Sequence, residues 1–138
     1  MLTTDDSLED VTQRIIGCAI EVHRQLGPGL LEAIYQECLT IELERARLSF
    51  EEQRPVAVIY KGRTLAQRFR LDLVVNRKVV VEIKAIDNVH PAHLAQVVSY
   101  LKLTGCPAGL LLNFNKATLR EGMKRLSHPE LYNRDCKR

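Results

Sequence analysis

The apolar positions of this chain change period along its length, and each change marks an element. Val11, Ile15, Ala19, Val22 and Leu26 continue from Leu8 at helical spacing. Ser7 stands before them with Asp10 three residues on, a variant capping box. Gly27-Pro28-Gly29 stops that helix. A second helix is predicted from about Leu30 to Arg47, with Leu31, Ile34, Cys38 and Leu39 on its inner side. Strands are predicted near Pro55–Tyr60, Leu65–Val75 and Val79–Ile86, where Val, Ile and Leu accumulate. Pro91 suits the first turn of a third helix, which ends at Gly105. Ala108–Asn113 has the continuous apolar run of a buried strand, and Thr118 with Glu121 fits the cap of a short last helix. The order ααβββαβα predicts an α/β fold, a mixed sheet with helices packed against it. The tail from Ser127 is expected to be loose.

Charges interrupt the two middle strands. Arg70-Leu71-Asp72-Leu73-Val74-Val75 is followed by Val79-Val80-Val81-Glu82-Ile83-Lys84-Ala85. Strand alternation puts Arg68, Arg70, Asp72 and Val74 on one face and Leu71, Leu73 and Val75 on the other. It likewise puts Val80, Glu82 and Lys84 opposite Val79, Val81, Ile83 and Ala85. A two-residue turn at Asn76-Arg77 would pair Asp72 with Val81 and separate it from Glu82. A turn of Asn76, Arg77 and Lys78 sets Asp72 opposite Glu82 and Arg70 opposite Lys84, and keeps the apolar faces together. The second register is expected. Two carboxylates and a lysine then meet on one sheet face, a candidate divalent-metal site for phosphodiester hydrolysis.

Composition narrows the setting. The 138 residues suffice for one domain with a real core, here expected over about 8–126. A net charge of +3 permits a nucleic-acid partner without requiring one. Cys18, Cys38, Cys106 and Cys136 form no CxxC pair, so neither a zinc ribbon nor a disulfide framework is indicated. No apolar run is long enough to span a membrane, and the acidic N-terminus has no signal-peptide pattern. A reduced, cytoplasmic protein is expected. Nucleophile-elbow and phosphate-loop motifs are missing from the sequence.

Gly29-Leu-Leu-Glu32-Ala-Ile-Tyr35 resembles the defining motif of the GxxExxY proteins of the PD-(D/E)xK nuclease-like superfamily. The likeness continues through Leu71-Asp72-Leu73, Val81-Glu82-Ile83-Lys84-Ala85, and His93-Leu-Ala-Gln96 to Tyr100-Leu101. It extends into Gly109–Asn115 and Lys124-Arg125, with Leu71 standing where the superfamily name implies proline. The resemblance implies a restriction-endonuclease-like core and a metal-dependent nuclease acting on DNA. It implies that Asp72, Glu82 and the Ile83 carbonyl bind Mg²⁺ or Mn²⁺. Lys84 would orient or deprotonate water and stabilise phosphate charge. Glu32 would face the same pocket, and Gln96 would orient water or phosphate. His93 and Tyr100 share the Gln96 stripe, beside a core stripe of Leu94, Val97, Val98 and Leu101; with Arg70 they are candidate substrate contacts.

Plainer readings stand beside these. Lys84 and Arg70 could neutralise Asp72 and Glu82 without a metal, leaving a cross-strand salt-bridge cluster. Glu32 in a first helical turn suits the macrodipole, and Tyr35 suits the core. His90 and His93 have helical spacing, but His90 precedes Pro91 and belongs at the helix boundary. Arg120, Lys124, Arg125, Arg134, Lys137 and Arg138 could follow a phosphate backbone or form a solvated surface. A non-catalytic nucleic-acid- or protein-binding module is the alternative function, and cleavage of another phosphate-containing substrate is a third. A homodimer or protein partner would be one source of sequence specificity.

Overall fold

The computed structural model describes residues 7–131. Helix α1 spans Leu8–Leu26, and the Ser7 hydroxyl accepts the Asp10 N–H at 3.0 Å. Its inner stripe, Val11, Ile15, Ala19 and Val22, is buried. Gly27, at φ 67°, ends it in a conformation that suits glycine. Helix α2 spans Glu32–Arg45 and buries Tyr35, Leu39, Thr40 and Leu43. Leu39 and Cys38 lie on the core side as expected, whereas Leu31 and Ile34 do not. Leu31 is 73 % exposed and Ile34 is also exposed, because α2 carries apolar residues around its circumference and docking selects the Tyr35 stripe.

The sheet has five strands in chain order: β1 (Phe50–Tyr60), β2 (Arg63–Val75), β3 (Val79–Lys84), β4 (Ala108–Asn113) and β5 (Met123–Ser127). Helix α3 (Pro91–Thr104) makes the crossover between the parallel pair β3 and β4, and Gly105 at φ 77° closes it. Every residue of β4 is buried, as the continuous apolar run requires. Helix α4 is a single turn, Leu119–Gly122, with the Thr118 hydroxyl accepting the Glu121 N–H. The fifth strand is an addition to the expected order. Met123–Ser127 pairs antiparallel with β4, so the segment before the expected loose tail is an edge strand. Beyond it, the buried His128 ring accepts the N–H groups of Glu130 and Leu131. The rest of the predicted tail, 132–138, lies outside the described residues.

Helices α1 and α2 cover one sheet face, packing on Leu73, Val75, Val79, Val81, Ile83, Leu110, Leu112 and Phe114. Helix α3 covers the other, where Tyr100 and Leu101 join Leu71, Val74 and Val80. Gly109 lets α3 come close, since a Cβ there would lie 2.8 Å from Val97 Cγ1. The β2–β3 turn is the three-residue one. Val75 pairs with Val79, Val74 with Val80 and Leu73 with Val81, and Asn76 and Arg77 take φ 52° and 56°. Two expectations fail just beyond it. The ladder ends at Leu73–Val81, so Arg70 does not pair with Lys84; it pairs with Pro55 of β1. Leu71 sits in the α3-side cluster, apart from Leu73 and Val75. Alternation breaks at Asp72, where Gln53 on the neighbouring strand takes φ 48° and the Gln53–Asp72 pair drops out of the register.

Candidate active site

The site forms where β2 parts from β3. Past Leu73–Val81 the backbone ladder is replaced by side chains. Asp72 Oδ2 accepts the Ile83 N–H at 2.8 Å, and Glu82 Oε1 accepts the Asp72 N–H at 3.4 Å. Each carboxylate therefore bridges to the other's strand. Glu82 and Lys84 share a β3 face, and Lys84 Nζ lies 4.0 Å from Glu82 Oε2. The Ile83 N–H points toward β2, while Lys84 C=O accepts the Phe114 N–H on the β4 side. Strand geometry directs the Ile83 carbonyl into the same gap as its N–H.

Burial dominates the electrostatics. Glu82 is only 5 % exposed. Desolvation, followed by repulsion from Asp72, pushes its carboxyl up to about 7. Desolvation also raises Asp72, against the stabilising Ile83 N–H and the Lys84 charge. Tyr100 is pushed up to about 12 by burial and by the negative charges of Glu82 and Asp72. Its ring meets Phe69 edge-on at 4.9 Å. Tyr100 thus belongs to the core and borders the carboxylates at once.

Helix α2 approaches from the other side. Glu32 Oε2 accepts the Ala85 N–H at 3.2 Å, just past Lys84. Its charge acts on both Asp72 and Glu82. The Gly29–Tyr35 motif has a local explanation. Tyr35 stacks on Phe114 at 4.5 Å. Its hydroxyl donates to Gly27 C=O at 2.6 Å and accepts the Leu30 N–H at 3.1 Å. Gly29 takes φ 104° between those anchors. The loop is thereby fixed and Glu32 is delivered to the end of β3.

Three positioning residues escaped the sequence reading. Gln36 donates to Asp72 C=O at 3.4 Å, and its Oε1 accepts from Gln53 at 3.1 Å. Gln53 also stabilises the ionised Asp72 carboxylate. Asn113, fully buried, clamps Ile86 through both its N–H and its C=O and so holds the chain after Lys84. Gln36 lies one turn after Glu32, a signal the sequence carried. Gln53 becomes visible only with the strand register.

No hydrogen bond or ion pair among the described residues joins Gln96, His93 or Arg70 to the two carboxylates. Gln96 is exposed on α3, and no side-chain hydrogen bond holds it among the described residues. His93 Nδ1 accepts the His90 N–H at 3.0 Å, which caps α3. Arg70 is exposed on β2. Arg125 pairs with Glu9 at 2.8 Å. Among the described residues, no group of three or more His, Cys, Asp or Glu is arranged to hold a metal. The donor set Asp72, Glu82 and Ile83 C=O is nevertheless all oxygen. That suits Mg²⁺, which takes one or two carboxylates and keeps its waters. Burying two adjacent carboxylates beside a single ammonium leaves negative charge that a cation would compensate.

A five-stranded mixed sheet flanked by helices, with acidic groups at the strand divergence, defines a restriction-endonuclease-like fold. The model of the PD-(D/E)XK nuclease superfamily matches residues 9–126, and the chain belongs to that superfamily. No curated protein and no solved structure matches significantly.

Proposed function

We propose that the protein is a metal-dependent nuclease that hydrolyses phosphodiester bonds in DNA, and that it falls in the GxxExxY branch of the superfamily. The observation that carries this is the buried Asp72–Glu82 pair beside Lys84, at the point where two strands part. Asp72, Glu82 and the Ile83 carbonyl would hold Mg²⁺ or Mn²⁺. When bound, the ion supplies a Lewis acid for the phosphoryl oxygen and activates water. Lys84 would orient or deprotonate the attacking water and balance charge growing on the phosphate. Glu32 and Gln96 orient water or phosphate. Tyr100, His93 and Arg70 contact substrate. Free Cys18, Cys38 and Cys106 agree with a reduced compartment, the cytoplasm. Among the described residues no helix is long and apolar enough to cross a membrane.

Asp72→Asn, Glu82→Gln and Lys84→Ala are each expected to reduce Mn²⁺-dependent cleavage of a DNA panel on the order of 100-fold or more, with circular dichroism unchanged. Unchanged cleavage in all three removes the assignment. One observation favours a non-catalytic binding module instead: both carboxylates already bond backbone N–H groups, as structural residues would. Calorimetric titration with Mg²⁺ and Mn²⁺ separates the readings. Heat in the wild type that is lost in Asp72→Asn supports the nuclease; no heat in either supports the module.

A further inference from the structure

The β1–β2 hairpin outruns the sheet. Its strands pair from Phe50–Val75 out to Tyr60–Arg63, whereas β3 pairs with β2 only over Leu73–Val75. The outer ribbon therefore projects as two strands from the position of Asp72. Its tip turns through Lys61 and Gly62 at φ 47° and 77°, a two-residue reversal that matches strand twist. The root is anchored, since Val56 and Phe69 pack against the α3-side core. Beyond it Ile59 is 65 % exposed and Tyr60 61 %. A two-stranded ribbon alone has little to stabilise it, and long exposed edges invite pairing.

Its charge is one-sided. Residues 53–71 contain five basic residues, Arg54, Lys61, Arg63, Arg68 and Arg70, and no acidic one. The whole chain is only +3, so the arm carries more positive charge than the protein's net. Arg54 is engaged with Glu51 at 3.7 Å. Arg63, Arg68 and Arg70 are exposed, and no salt bridge among the described residues holds them. Arg70 and Arg68 precede Asp72 by two and four residues, about 7 and 13 Å along the strand. Arg63 pairs with Tyr60 at the tip, and the register shift between Ala57 and Ile59 leaves it about 23 Å out, roughly two-thirds of a duplex turn. The major groove of B-form DNA admits a two-stranded ribbon, and the deep, narrow major groove of A-form RNA does not.

We propose that this arm holds B-form duplex DNA against the Asp72–Glu82 site, lying in the major groove with Arg63, Arg68 and Arg70 on phosphates. The inference rests on the nuclease reading but is tested without catalysis. Binding of a 30-base-pair duplex, an equal single strand, an RNA duplex and anionic vesicles is measured by anisotropy or flotation in EDTA across a salt series. The triple variant Arg63→Gln, Arg68→Gln, Arg70→Gln is compared with Arg45→Gln, Arg47→Gln, Lys102→Gln, which removes equal charge from exposed positions elsewhere. The arm variant is expected to lose roughly ten-fold or more in duplex affinity, and its log–log salt slope to fall by about 2 to 3, while the control stays within about three-fold of wild type. Equal losses in both variants, no loss in the arm variant, no duplex binding by wild type, or arm-dependent binding of RNA or vesicles as tight as of duplex DNA each overturn the proposal. Wild-type Mn²⁺-dependent cleavage is assayed separately. Cleavage without arm-dependent binding sinks the arm alone, and arm-dependent binding without cleavage sinks the nuclease reading alone.

Discussion

Glu82 is held in a conflict that a cation would relieve. Burial and the Asp72 charge raise its carboxyl to about 7, from an ordinary carboxylate value of 4.5. Folding then favours the protonated form. The folded protein binds the extra proton between those values, so stability falls as pH rises through that window. Metal-free protein is therefore expected to be more stable at pH 5 than at pH 8, by about 2.5 kcal/mol from this group. Glu82→Gln should flatten that slope in chemical denaturation at several pH values; an equally steep slope in the variant would show that other groups carry it. That Asp72, Glu82 and Lys84 meet was legible in the sequence because charge is costly inside an apolar strand. Gln36 and Gln53 were not, because neutral amides sit on any surface without cost, and only the strand register brings them to Asp72. Nor was the capping role of His93, whose Nδ1 accepts the His90 N–H. A helix-boundary imidazole reads alike whether it faces substrate or caps its own helix.

At the scale of elements, the Gly27–Tyr35 segment does the most positioning. Two loop hydrogen bonds converge on the Tyr35 hydroxyl and fix the start of α2. Tyr35→Phe keeps the stacking on Phe114 but leaves those backbone groups without their partner. It is expected to cost about 1–3 kcal/mol and to weaken cleavage through a displaced Glu32. Thermal unfolding together with cleavage kinetics checks both, and a variant with wild-type stability would mean the loop holds its shape without that hydroxyl. Element types and most boundaries were legible because period and caps agree, as at Ser7, Gly27, Pro91 and Gly105. The β5 strand was not. Met123-Lys-Arg-Leu-Ser127 lacks β-branched residues, and its charges suit an edge, so its strand state comes from pairing with β4. Leu31 and Ile34 depart from the expected inner stripe because several stripes of α2 are apolar and only docking chooses among them.

For the whole molecule, two cores lie on opposite faces of one sheet, and the acidic site sits where the sheet divides into a buried body and an exposed arm. Register, set by the Asn76–Lys78 turn, ties that site to both cores. A ligand bound only by the folded state stabilises it by mass action. Mn²⁺ at roughly a hundred times its dissociation constant is expected to add about 2.7 kcal/mol to wild-type stability and nothing to Asp72→Asn. The most direct test is a crystal grown with Mn²⁺ and measured at the manganese edge. An anomalous peak between the carboxylates of Asp72 and Glu82, within reach of the Ile83 carbonyl, is the expected result. Well-ordered carboxylates still bonded to the Ile83 and Asp72 N–H groups, with no peak between them, would contradict a metal-dependent site here.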